Sequence, residues 1–180
     1  MGRMLIKTHH SVSVDGFSAT PDGRPAITLV TDFAPKESHG IPEFTAGCGA
    51  VAMGRTTFLP AITNPWWPWP DRKVYVLSSR PLPDGTPEDV VHVTGGPEAL
   101  LERLRSDDFE GDAELLGGPT LIRDFWQRGA IDQLGLIVLP ILIGEGLPLF
   151  PLAGGPVAAL RLVGRKTHPD GAIELFYEPS

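Results

Sequence analysis

The sequence predicts an α/β fold of three layers: a mostly parallel twisted sheet with helices on both faces and an antiparallel C-terminal hairpin. Three observations carry that reading. The stretch from Ala113 to Phe150 reads as strand, glycine turn, helix and strand in immediate succession. Its two strands, Ala113-Leu115-Leu116 and Leu134 to Leu139, are almost wholly apolar, as parallel strands covered on both faces must be. Ala159 to Thr167 and Ala172 to Tyr177 flank the turn Pro169-Asp170-Gly171, which is a hairpin signal. In the central unit the chain turns at Gly117-Gly118. Pro119 then begins a helix, since its missing N–H costs nothing at the first helical position. Leu121, Ile122, Phe125 and Trp126 follow at helical spacing until Gly129. A right-handed crossover places the start of this helix at the carboxyl edge of the sheet, where free N–H groups and the helix dipole suit a phosphate.

Length and composition bound the reading. At 180 residues with 42% apolar content the chain is long enough for one sizeable core, and one domain is expected. A formal charge of -7 and a pI near 5.1 argue against nucleic acid as a partner, because no basic face is available to replace counterions. The longest apolar stretch, Ile131 to Pro151, is broken by Asp132, Gln133, Pro140, Gly144, Glu145 and Gly146, so no membrane span is expected. Met1 to Ile6 lacks the apolar segment of a signal peptide, and the one cysteine, Cys48, has no disulfide partner. A cytoplasmic protein with a buried, inert thiol is the expectation. His9 and His10 are adjacent in an expected strand and face opposite sides, so a shared metal is not expected.

In chain order, Met4 to Val14 reads as a first strand ending at Asp15-Gly16, and the irregular loop that follows borders a crevice at the sheet's edge. Ile27 to Val30 reads as a brief extended piece, and Pro42 to Ala46 as a short helix. Ala50 to Met53 is a strand. It runs into Gly54-Arg55-Thr56-Thr57, where either threonine could cap the next helix and a guanidinium stands beside a second anion-ready turn. Three tryptophans lie among three prolines between Asn64 and Asp71. Packing over a core edge, a lid, and a contact in a homodimer all remain open for that loop. Lys73 to Leu77 is a strand ending at Ser78-Ser79-Arg80-Pro81, which offers hydroxyls and a fixed cation. Val90 to Val93 is another, followed by a helix over Glu98 to Arg105.

Three turns at one edge, carrying Gly54-Arg55-Thr56-Thr57, Ser78-Ser79-Arg80 and Gly117-Gly118-Pro119-Thr120, together resemble the dihydrofolate reductase fold. The resemblance spans nearly the whole chain. Met53 to Phe58 with Asp71 to Pro81 looks like that family's paired NADPH signature. Leu115 to Ile122, Asp132-Gln133-Leu134, Pro140 to Phe150 and Ser13-Val14-Asp15-Gly16 are more similar to the riboflavin-biosynthesis reductase (RibD C-terminal) branch. The resemblance implies an NADPH site. Arg55 and Thr56, in the turn from Gly54 to Thr57, would meet the adenosine phosphates. Ser78, Ser79 and Arg80 would meet the 2′-phosphate, and Gly117, Gly118, Pro119 and Thr120 the pyrophosphate. It also implies hydride transfer to a pteridine-like, pyrimidine-like or other small carbonyl or imine substrate. Folate reductases keep an acid about a turn before the phenylalanine that Phe44 matches, and here that position is Gly40. Asp32, His39 and Glu43 therefore stand as the candidate proton donors. A second reading, of another class, is a nucleotide-binding or ligand-sensing module that keeps the fold without catalysis.

Overall fold

The structure is a computed structural model that describes residues 3–30, 39–150 and 157–180; the Asp32 candidate lies outside the described residues. Its elements are β1 (Ile6–Ser13), β2 (Phe17–Ala19), a 3-10 helix (Ala26–Leu29), α1 (Ile41–Ala46), β3 (Cys48–Gly54), α2 (Arg55–Ile62) and β4 (Lys73–Leu77). They continue with β5 (Val91–Val93), α3 (Gly96–Ser106), β6 (Asp112–Gly117), α4 (Pro119–Gln127), β7 (Gln133–Leu139), β8 (Leu147–Pro148), β9 (Leu160–Thr167) and β10 (Ile173–Pro179). The main sheet runs β5-β4-β3-β6-β1-β7-β10-β9. From β5 to β7 every pairing is parallel, whereas β10 pairs antiparallel with both β7 and β9. The expected architecture, with its antiparallel end, is therefore the observed one.

Each face of the sheet has its own apolar layer. On one, Leu100 and Leu104 of α3 and Ile122 and Phe125 of α4 pack on Ala52, Tyr75, Ala113 and Leu115. On the other, Phe58 and Ala61 of α2 pack with Trp69 on Val51, Met53, Val74 and Val76, while a separate cluster of Ala26, Ile137, Leu139 and Ala172 covers the end of β7. Trp67 packs partly buried against the Phe58 cluster, its ring 5.3 Å from Trp69 and 6.2 Å from Phe58. Its indole N–H donates to the Trp69 carbonyl at 3.1 Å, so Trp67 and Trp69 close a core edge, while Trp66 is about half exposed. Cys48 is buried, and burial pushes its thiol up to about 11, which makes it a poor nucleophile at neutral pH.

Two local expectations are corrected, and one pairing is new. Ile27 to Val30 is not extended: Ala26–Leu29 forms a 3-10 helix, because the Thr28 N–H and hydroxyl both donate to the Pro25 carbonyl and close the turn. Neither Thr56 nor Thr57 caps α2; Gly54 is the extended N-cap residue and the helix begins at Arg55, which leaves both threonines within the first turn. A second sheet, made of β2 and β8, was not expected. It binds the loop after β1 to the segment after β7 and gives that loop a defined path.

Candidate functional site

Because β3, β4 and β6 are adjacent and parallel, their carboxyl ends bring the three turns together. Gly54 pairs with Leu77, and Met53 with Gly117. The start of α2 faces the start of α4: a Cβ built on Gly118 would stand 3.5 Å from the Thr57 hydroxyl, and one on Gly54 would stand 3.9 Å from the Gly117 carbonyl. The Gly117–Gly118 peptide is cis, and Gly117 has φ +116° with His10 close beside it. Pro119 opens α4 as its first residue, so the turn, the free N–H groups and the helix dipole coincide. Thr120 is exposed there.

One terminal nitrogen of Arg55 is buried with no hydrogen-bond partner among the described residues. A buried guanidinium N–H without an acceptor is costly, and a phosphate oxygen at this junction would satisfy it. The residues therefore fit a phosphate-bearing cofactor. In the neighbouring turn the Ser78 hydroxyl donates to the Arg80 carbonyl at 2.6 Å and accepts from the Arg80 N–H at 3.1 Å. Ser78 thus shapes the turn from within, leaving Ser79 and Arg80 exposed to a ligand. His92 joins them, since its Nε2 lies 2.9 Å from the Ser78 carbonyl.

The loop after β1 is fastened over the same edge. The Ser13 hydroxyl accepts from the Phe17 N–H at 3.0 Å, and the Asp15 carboxylate accepts from the Ile143 and Gly144 N–H groups at 3.2 and 2.7 Å. The hydrogen bond with Ser13, followed by these backbone donors, holds the Asp15 carboxyl below the usual carboxylate range. Ser13-Val14-Asp15-Gly16 is in this way a clasp between the ends of β1 and β7.

The proton-donor candidates lie elsewhere on the sheet face. His39 is buried at φ 56°, and its Nε2 meets the Asp170 carboxylate in the β9–β10 turn. Glu43 points outward from α1, 3.5 Å from Lys166, with its carboxyl held low by its own backbone N–H and then by that lysine. Between them lies a cluster that sequence reasoning missed. Glu174 of β10 is buried, with His9 Nε2 2.9 Å from one of its oxygens and His168 Nε2 3.4 Å from the other. The signal was its strand parity, which puts Glu174 on the inward face with Ala172 and Phe176. An open cleft of about 480 Å³, lined by Lys7, Glu43, Phe44, Gln133, Glu174 and Phe176 among others, flanks this cluster. Its lining is partly aromatic and carries charges of both signs. No group of three metal-ligating side chains occurs among the described residues.

Against known proteins, the sequence profile of the RibD C-terminal domain matches residues 5–173. The chain belongs to the RibD C-terminal domain family. YwjB of Bacillus subtilis (strain 168), described as uncharacterized, is 30% identical over 168 residues, which is 93% of each chain. Among solved structures, a putative riboflavin biosynthesis protein from Shewanella sp. PV-4 superposes with a TM-score of 0.81 at 22% identity, covering 98% of this chain and 99% of that one. Dihydrofolate reductase from Enterococcus faecalis, complexed with NADP(H) and RAB-propyl, superposes with a TM-score of 0.65 at 19% identity over 99% and 98% of the two chains. At such identities these two superpositions establish a shared fold. Membership of the RibD C-terminal family rests on the profile match.

Proposed function

We propose that this member of the RibD C-terminal family is an NADPH-dependent reductase of a small pteridine-like or pyrimidine-like substrate, or of another small carbonyl or imine. The observation that carries the reading is the orphaned buried nitrogen of Arg55 where three phosphate-suited turns converge. When bound, the cofactor supplies the hydride. The chain's own residues do the rest. The free N–H groups at the starts of α2 and α4, with Arg55 and Thr120, would hold the phosphates. Ser79 and Arg80 would read the 2′-phosphate, with Ser78 fixing their turn. Pro119 and the glycines keep the backbone low enough for close approach. The clasped loop after β1 orients the substrate at the carboxyl ends of β1 and β7 and excludes water from above it.

The reading is tested by following NADPH oxidation with dihydrofolate, pterins and ribosylaminopyrimidines such as 5-amino-6-(5-phosphoribosylamino)uracil. Turnover of one class with NADPH is the expected result. Tight NADPH binding without turnover of any compound would favour the ligand-sensing reading, and neither binding nor turnover would refute the assignment of these turns.

A further inference from the structure

We propose that Glu174 carries the transferable proton of this site, reaching from β10 into the space that a side chain on position 40 would occupy. The proposal deepens the reductase reading and rests on it. Its ground is geometric. A Cβ built on Gly40 would lie 2.3 Å from one Glu174 oxygen and 2.4 Å from the other, and Gly40 itself has φ +70°. The backbone at the head of α1 is therefore seated directly on the carboxyl, with no room for a residue of its own there.

Glu174 is 2% exposed, and each of its oxygens faces one histidine. His9 reaches it across β7 only because position 135 is glycine: a Cβ there would stand 2.6 Å from His9 Cδ2. The His9 ring is also held between Phe44 and Phe176, at 4.7 and 5.5 Å. His9 Nε2 is 2.9 Å from Glu174 yet is not aligned for a hydrogen bond with it. Because both side chains are out of water, a charged pair is costly there, and the proton sits on the acid beside a neutral imidazole.

The surroundings favour this state. Burial lowers His9 to about 3, with His10 and His168 adding smaller pushes in the same direction. Burial likewise raises Glu174, with Glu43 adding to the effect while His168 and Lys166 oppose it. His39 and Asp170 complete the set, the His39 ring tilted at 52° to that of His168 with centroids 5.1 Å apart. Glu174 is level with Ile137 and Ser11, one same-face row below Ser13 and Leu139 at the carboxyl edge, and it also lines the cleft beneath α1. In the reduction of a C=N bond, hydride from NADPH goes to carbon and the π pair moves to nitrogen. That nitrogen takes the proton from Glu174, which leaves a carboxylate and NADP⁺. The carboxylate regains its proton from water by way of His168 in the partly exposed turn.

Infrared difference spectra of wild type against Glu174→Gln at pH 7 test the proton's location without any substrate. The expected result is a protonated carboxyl C=O band in wild type that Glu174→Gln removes. No band lost in Glu174→Gln would overturn the proposal. For transfer, Glu174→Gln should still bind NADPH while kcat falls by roughly 10²- to 10⁴-fold and loses its basic-limb pH dependence. Unchanged kcat would reduce Glu174 to a structural latch and overturn the role. A wild type that shows the band yet neither binds nor oxidises NADPH would instead refute the reductase reading, and the transfer role with it.

Discussion

Replacing Arg72 by alanine is expected to destabilise the protein by about 3–5 kcal/mol, since one half of a buried ion pair is stranded. Arg72 approaches β4 from the tryptophan loop and ion-pairs with Glu114 on the central strand β6. Glu114 is 5% exposed, and burial raises its carboxyl, with Arg72 opposing the rise. The nearby Lys7 is committed to Asp112, so it cannot replace the guanidinium. Without Arg72 the folded-state pKa rises further above the unfolded value of 4.5. An acid with a raised folded pKa costs stability above the unfolded pKa and recovers it as pH falls. The loss in Arg72→Ala should therefore be largest near pH 7 and shrink toward pH 4.5, and Glu114→Leu added to it should restore much of the stability. Urea unfolding at several pH values measures this. A loss independent of pH would show that Arg72 acts through packing and not through Glu114.

Phe125→Ala is expected to cost about 3–5 kcal/mol, roughly 10 °C in melting temperature for a chain of this size. Phe125 is fully buried on α4 and packs with Ile122, Leu121 and Leu115 beneath the turn that would take the pyrophosphate. Truncation leaves a cavity in a layer built from both helices on that face, with little freedom to collapse. Because the ring is fully buried and cannot itself meet a ligand, bound NADPH should recover stability in wild type and variant alike, about 2.7 kcal/mol at a hundredfold excess over Kd. Thermal denaturation with and without NADPH checks both effects. A variant as stable as wild type would mean that α4 is held by something other than this core.

Most of the fold was legible because apolar runs and glycine or proline punctuation coincide with the element ends. Leu134 to Leu139 and the helix opened by Pro119 stand within a residue or two of where the sequence places them. What escaped was short or dependent on distant partners. β2 and β8 have three and two residues, too few for any periodicity to register. Glu114 hid inside an apolar run, because only the approach of Arg72 makes a carboxylate tolerable there. The three anion-ready turns were readable one by one from their glycines and hydroxyls. Their convergence follows from the strand order β4-β3-β6, which local pattern does not encode and which the resemblance supplied. Glu174 and His9 meet across an intervening strand through the gap at Gly135, so no spacing along the chain announces the pair.

The central claim, that these turns read a 2′-phosphorylated dinucleotide, is tested most directly by calorimetric titration of NADPH and of NADH into wild type, Arg55→Ala and Arg80→Ala at one fixed ionic strength. Arg80 is exposed and open to screening by salt, hence the fixed condition. A charge-assisted hydrogen bond contributes about 1.5–3 kcal/mol, so wild type should prefer NADPH by roughly tenfold to a hundredfold. Each arginine variant should weaken NADPH while leaving NADH nearly unchanged. Equal affinity of wild type for the two cofactors, or an equal loss of both in correctly folded variants, would contradict the account.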